Sequence, residues 1–366
     1  MKQFDWEEIK MKKMTAILLV FCMTAVLLSG CSKSGSTAPA PAQEDAETGV
    51  EETDNEPKPG EVINLKLGST TSEGTAEIEA CHRFAERLEE LSGGTMTCDI
   101  LANGLAGSET EIVEGQQMGS LDMSVMCGVL QNFDSALMFL EWDFLFVNQE
   151  HLEEVLYGEI GDRIEQRILD TTGIRVLDVF MRTPRLMSTT KKIESIDDLK
   201  GLKIRVPEMA ARTALWTALG ASPTPMAFNE VYSALQTNVI EGQENPINTI
   251  VANKLYEVCP YLTVSNHVYG FMYLNISDST WQKLNDEQRG WVQQAADEAA
   301  EYNNQLAAEM EEEQMEEAAE YMEVTVVDTT DWRELTKDVY KQFESDPNYG
   351  AFEEIYQEIV AAGEKY

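Results

Sequence analysis

An α/β fold in two domains is what the sequence predicts, on three observations. Strand-like and helix-like segments alternate from Val62 onward, the pattern of a sheet flanked by helices. The 366 residues are more than one small core usually takes. An apolar content of 43% with 8% aromatics supplies real cores and excludes disorder throughout.

The elements follow in order. Val62 to Gly68 alternates apolar and polar residues as a strand, and Ile78, Cys81, Phe84, Leu88 and Leu91 then recur at helical spacing until Gly93-Gly94 ends the run. A strand is expected near 96–101. Ser108 with Glu111 forms a capping box that opens a short helix closed by Gly119, and Leu121–Met126 is apolar enough for a buried strand. An acidic helix over 150–169 and a strand over 174–180 come next. Ser195-Ile-Asp-Asp198 caps the turn before a short strand, Lys203–Val206, which Pro207 stops. Helices are expected over 209–219, with Gly220 as the stop, over 230–235, and over a long stretch from 287 to 320. The stripe Trp291, Ala295, Ala299, Tyr302 and Leu306 marks the buried face of that long helix. Its acidic far end is either a solvated face or part of a brace across two domains.

The N-terminus speaks to the compartment. Ala16 to Leu28 is one apolar run, too short for a membrane span, preceded by Lys12 and Lys13 and followed by Leu28-Ser29-Gly30-Cys31. That is a secretory signal over residues 1–30. Asp5, Glu7 and Glu8 do not suit its basic start, so translation is expected to begin at Met11 or Met14. The small residues before Cys31 resemble a bacterial lipobox, which makes Cys31 the expected lipid attachment point and the protein a cell-envelope lipoprotein outside the cytoplasm. Residues 31–60, rich in Ser, Ala, Pro and acids, read as a flexible acidic linker.

Charge and chemistry exclude several functions. With 27 basic residues against 65 acidic ones, a net charge of −38 repels nucleic acid and acidic membrane surfaces. The membrane is therefore expected as a partner through the N-terminal lipid only. Cys81, Cys98, Cys127 and Cys259 follow no zinc or redox spacing, so no metal is expected. Free thiols are the default, with a Cys81–Cys98 disulfide left open. His82, His151 and His267 lie far apart, and neither a nucleophile elbow, a P-loop nor a dinucleotide fingerprint is present. No enzyme and no cofactor are expected.

The informative segment contains Ser195-Ile-Asp-Asp-Leu-Lys-Gly-Leu-Lys-Ile-Arg-Val-Pro207, Leu219-Gly-Ala-Ser-Pro-Thr-Pro-Met-Ala-Phe-Asn-Glu-Val-Tyr-Ser-Ala-Leu-Gln236, Glu241-Gly-Gln-Glu-Asn-Pro246 and Lys254-Leu-Tyr-Glu257. In order, spacing and residue type these strings resemble the DctP-type solute-binding proteins of tripartite ATP-independent periplasmic (TRAP) transporters, with weaker similarity from Leu65 to about Ala299. The resemblance implies a two-lobed fold like that of periplasmic binding proteins, each lobe a mixed sheet flanked by helices, with a long helix bridging the lobes. Lobe I is expected over 61–181 and about 271–310, and lobe II over about 182–270 and 311–366. It implies capture of a small carboxylate (a uronate, an aldonate or a dicarboxylate) by lobe closure and delivery to membrane subunits for ion-driven uptake, by a protein expected to be a monomer. A receptor for a membrane signalling protein would show the same pocket, and an envelope hydrolase is the remaining rival.

Site residues follow from the same resemblance. Arg205 matches the arginine that grips the ligand carboxylate, a task to which a guanidinium fork is suited and a lysine is not. Arg185 is placed as a second arginine, with Arg182 competing for the role. Asn245 matches an amide donor, and Phe228 the aromatic floor. Glu208, if it faces the cleft, would accept from ligand hydroxyls. Thr70 and Glu109 are expected to read the rest of the ligand from the first lobe. Cys127 stands where sialic-acid binders carry a glutamate, and Leu130 where they carry an arginine, which argues against sialic acid. Trp142-Asp143-Phe144 lacks the proline usual in the family, leaving the shape of that loop open.

Overall fold

The structure, a computed structural model, describes residues 62–366. The expected signal peptide (1–30), Cys31 and the expected acidic linker (31–60) lie outside them.

The first sheet is built from β1 (Ile63–Gly68), β2 (Met96–Leu101), β3 (Met123–Met126), β4 (Ile174–Met181) and, contributed much later, β10 (Phe271–Ser277), and its order is β2-β1-β3-β10-β4. Helix α1 (Ala76–Leu91) links β1 to β2, whose parallel pairing requires such a crossover. Helix α2 (Glu109–Met118) opens on the Ser108–Glu111 capping box and ends at Gly119, whose φ of 75° suits a residue without a Cβ. The acidic stretch 150–169 is not one helix but two, α3 (Gln149–Leu156) and α4 (Glu159–Thr172). The chain folds back at Gly158 so closely that a Cβ at Gly161 would lie on the Leu156 carbonyl. Periodicity continues across that break, and only the two glycines mark it.

The second sheet has the order β11-β9-β5-β8-β6-β7. Its strands are β5 (Arg185–Thr189), β6 (Lys203–Val206), β7 (Ser222–Pro225), β8 (Gly242–Pro246), β9 (Tyr261–Val264) and, near the end of the chain, Glu323–Val326 as β11. Helices α5 (Ala210–Ala218), α6 (Val231–Gln236) and α7 (Ile247–Ala252) connect these strands. Trp216 of α5 and Trp332 are fully buried and meet edge to face, 6.3 Å between centroids, in the core of this lobe. The chain then returns to the first sheet as β10 (Phe271–Ser277), buried along its whole length between β3 and β4. The two crossing segments lie side by side, Arg182 N donating to Gly270 O at 3.0 Å and Arg185 N to Val268 O at 2.9 Å.

A short helix, α8 (Asp278–Trp281), leads into α9 (Asp286–Tyr321), which runs for 36 residues and bridges the lobes. Its first half covers α1 and the first sheet; further along it packs on α7, and Tyr321 at its end stacks on Tyr256 at 4.6 Å. The buried stripe is Val292, Ala295, Ala296, Ala299, Ala300, Asn303 and Ala307. Tyr302, expected inside, is instead 39% exposed. Asn303 replaces it because its side chain donates to Met181 O at 2.9 Å, a polar tie that hydrophobic periodicity does not register. The segment 311–366 is shared between lobes. β11 joins the second sheet, α10 (Thr330–Thr336) carries Trp332 into its core, and α11 (Tyr349–Gly363) packs Phe352, Tyr356 and Ile359 against Trp142 and the first-lobe helices.

Candidate functional site

Between the sheets lies a polar cavity walled by residues of both lobes. It sits where strands of both sheets end: Thr70 just after β1, Cys127 and Gly128 just after β3, Arg205 and Pro207 at the end of β6. Open α/β sheets bind ligands at such carboxyl ends. Asn245, Phe228, Glu109, Glu141, Arg182 and Arg185 complete most of the wall. Gly128 lets the wall close up, since a Cβ there would meet Glu141 Oε2 at 2.7 Å.

Arg205 is 4% exposed. Its Nε donates to Met226 O at 2.9 Å, and its guanidinium carbon lies 5.7 Å from the centre of the Phe228 ring. Among the described residues it forms no ion pair with a carboxylate. The backbone therefore fixes one edge of the guanidinium while its two terminal nitrogens remain available. Burial pulls it down to about 10, opposed by Glu244 and Glu109, so it stays charged at neutral pH.

The other two arginines of the wall are already engaged. Arg182 Nε donates to Glu77 Oε1 at 2.6 Å and its Nη2 to Thr249 Oγ1 at 2.8 Å. Arg185 donates to both Glu244 carboxylate oxygens and, from Nη2 at 2.8 Å, to Glu244 O, with Glu141 Oε1 at 3.7 Å. Behind it, Arg212 joins Glu244 to Asp143, and His267 Nε2 stands 3.2 Å from Glu244. Burial alone would raise the Glu244 carboxyl, but Arg185 and Arg212 outweigh it and hold it well below the usual carboxylate range.

On the first-lobe side, Glu109 is pushed upward by burial and by Glu141, against the pull of Arg205, Arg185 and Arg182. Thr70 Oγ1 donates to Glu109 Oε1 at 3.4 Å. Asn245 Nδ2 donates to Gln243 Oε1 at 2.6 Å, and Gln243 in turn to Ser188 Oγ at 2.7 Å, an orienting relay along β8. Burial, helped by Glu141 and Glu109, raises the Cys127 thiol far above its ordinary value, which makes it a neutral wall group and not a nucleophile.

Of the eight residues expected from the sequence, Arg205, Arg185, Asn245, Phe228, Glu109, Thr70 and Cys127 line this one cavity. Glu208 lines a smaller adjoining hollow, where its backbone carbonyl accepts from Asn132 Nδ2 at 2.9 Å. Sequence reading passed over Glu141 and the Glu244–Arg212–Asp143 cluster. Glu244 stood inside the Gln-Glu-Asn-Pro string, but nothing nearby in sequence marks its partners. Cys81, Cys98, Cys127 and Cys259 are free thiols, and no cluster able to hold a metal occurs among the described residues. No described helix is long and apolar enough to cross a membrane.

Two mixed α/β lobes, a bridging helix and a polar cavity at facing strand ends define a ligand-capturing protein of the two-lobed binding class. Comparison then gives the family: residues 67–346 match the model of the bacterial extracellular solute-binding proteins, family 7 (DctP), and the chain belongs to that family. The solute-binding protein RD1_1052 of Roseobacter denitrificans is 38% identical over 67% of this chain and 75% of its own length. The sialic acid-binding periplasmic protein SiaP of Vibrio cholerae is 32% identical over 77% and 88%. Among solved structures, a TRAP periplasmic solute-binding protein from Roseobacter denitrificans with bound L-galactonate superposes with a TM-score of 0.77 at 35% identity, covering 81% of this chain and 99% of that one. One from Haemophilus influenzae with bound L-gulonate gives 0.77 at 30% identity, covering 82% and 99%. These are binding proteins, not enzymes, as the chemical inventory of the sequence implied.

Proposed function

We propose that this protein is the extracytoplasmic solute-binding component of a TRAP transporter, taking up a small organic acid between its lobes and delivering it to membrane subunits. The observation that carries the reading is Arg205, a buried guanidinium fixed by a backbone carbonyl and paired with no carboxylate of its own. A buried, unpaired charge is expensive, so a ligand carboxylate is its natural partner. Support comes from relatives crystallised with L-galactonate, L-gulonate and β-D-galacturonate. Arg205, Asn245 and Phe228 would hold the acid end, with Arg185 behind them, while Thr70 and Glu109, flanked by Cys127 and Glu208, meet the remainder.

Anchoring through an acylated Cys31, with the 31–60 linker as tether and a monomeric body, completes the proposal. A Cys31→Ala variant should leave the membrane fraction or keep its signal. A thermal-shift screen over organic acids tests the central claim, since a ligand at 100 times its Kd adds about 2.7 kcal/mol of stability. Stabilisation by an acid that disappears in Arg205→Ala supports it. Equal stabilisation of wild type by neutral sugars overturns it.

A further inference from the structure

The charge bookkeeping of the cavity narrows the ligand class, given the carboxylate reading above. Three arginines line the wall, yet two have their counter-charges built in. Arg182 is matched by Glu77, itself 1% exposed and fixed on its second oxygen by Asn248 Nδ2 at 2.7 Å. Arg185 and, behind it, Arg212 are matched by Glu244 and Asp143. What remains in the wall is Arg205, which forms no ion pair among the described residues, together with two carboxylates, Glu109 and Glu141, the latter 3.7 Å from Arg185 and secondary to Glu244 as its partner.

We infer that the site selects a hydroxylated monocarboxylate, with Arg205 taking the single acid group and Glu109 and Glu141 accepting from hydroxyls at the other end, so that dicarboxylates are rejected. An ionised carboxylate can only accept hydrogen bonds, and a polyol chain offers several donors. Bonds to a charged acceptor are the stronger kind, which suits Glu109 and Glu141 to hydroxyl reading. A second ligand carboxylate would find no spare guanidinium and two further carboxyl groups, and would be left without a counter-charge. Arg185 cannot turn to it without abandoning Glu244, on which Arg212 also depends. A neutral sugar fails at the opposite end, where Arg205 stays unpaired.

The test is calorimetry on the mature protein with matched acids: D-gluconate against D-glucarate and D-galactonate against galactarate. Each pair differs only in a terminal hydroxymethyl group replaced by carboxylate. The monocarboxylate is expected to bind at least about 100-fold more tightly than its partner, and Glu141→Gln or Glu109→Gln should shrink that ratio about tenfold or more. If one glutamine variant fails to fold, the other and the wild-type ratio decide. A diacid that binds as tightly as its matched monoacid, with both lost in Arg205→Ala, overturns this inference and leaves carboxylate capture standing. An unchanged ratio in a folded glutamine variant overturns the role given to that glutamate. Binding of none of the four acids, with no response to any acid in the wider screen, overturns the carboxylate reading and this inference with it.

Discussion

Glu244 holds Arg185 by three acceptors at once: both oxygens of its carboxylate and its own backbone carbonyl, the Nη2 contacts being 3.1 Å to Oε1 and 2.8 Å to O. The two residues lie on adjacent antiparallel strands, with Met187 opposite Glu244 and Arg185 opposite Pro246. Their side chains therefore leave the sheet on one face, while Asn245 leaves on the other. Arg185, expected from the sequence as a second ligand arginine behind Arg205, thus directs its donors to Glu244, whereas Arg205 forms no ion pair among the described residues.

Removing that commitment should weaken the fold more than it alters the pocket wall. Glu244→Gln preserves shape but deprives both Arg185 and Arg212 of their shared anion, and breaking a buried pair from one side costs roughly 3–5 kcal/mol. Denaturant unfolding measures it. Because the folded carboxyl lies below its unfolded value, its contribution is present above the ordinary carboxylate range and fades as pH falls toward the folded value. A loss below about 1 kcal/mol would show that the cluster is not sharing charge in this way.

Arg205 should dominate affinity. For an acid found by the thermal-shift screen, Arg205→Ala is expected to cost roughly 2–5 kcal/mol, about 30-fold to several-thousand-fold. Arg205→Lys should fall between wild type and alanine, since it keeps the charge without the planar fork. Asn245→Ala should cost less, about 1–3 kcal/mol. Titration calorimetry gives the order; an alanine variant that stays folded and binds within about twofold of wild type would remove Arg205 from the site.

Closure should be visible in solution. Ser72 Oγ donates to Asn253 Oδ1 at 2.7 Å, and Asn132 Nδ2 to Glu208 O at 2.9 Å, each joining one lobe to the other. Saturating ligand should reduce the radius of gyration measured by small-angle scattering, as in other hinged binding proteins. Ser72→Ala should weaken binding by about 0.5–1.5 kcal/mol, because its bond exists only when the lobes meet. Identical scattering with and without ligand would argue for a rigid receptor.

On the far side of the first lobe, two half-buried carboxyls set a pH dependence of stability. Burial raises Glu165 to about 7, with Asp162 and Asp178 adding to it, and raises Asp178 to about 6 despite a backbone bond from Val179. Both lie above their unfolded values, so the unfolded chain gives up these protons first. Their contribution is complete at acid pH below the ordinary carboxylate range and is lost as pH rises through 6 to 7. Glu165→Gln and Asp178→Asn should therefore raise the melting temperature at pH 8 relative to wild type and leave it nearly unchanged at pH 4. A variant no more stable than wild type at pH 8 would refute this.

Much of the scaffold was legible in the chain because it rests on neighbours a few residues apart. The Ser108–Glu111 capping box, Gly119 behind it and the strand stopped at Pro207 all appear where local chemistry places them. The same strand carries Arg205 to its end. Local reading faltered where a contact from elsewhere decided the outcome: at Gly158 and Gly161, where the chain folds back on α3, and at Asn303, buried by a carbonyl 122 residues away. The charge pattern of the cavity was beyond sequence reading altogether. Arg185 and Glu244 are 59 residues apart, and Arg212 and Asp143 are 69. Among 65 acidic residues, nothing local marks which will be buried beside a guanidinium. Sequence by itself determined the family, most elements of the first lobe, strand β6 and the place of Arg205 at its end, since those depend on short-range bonding and motif order; most strands of the second sheet, short and without clear alternation, were not legible. Only the tertiary structure decided which arginines are neutralised and which one stays free, because buried charges pair through space and at distances of a few ångströms.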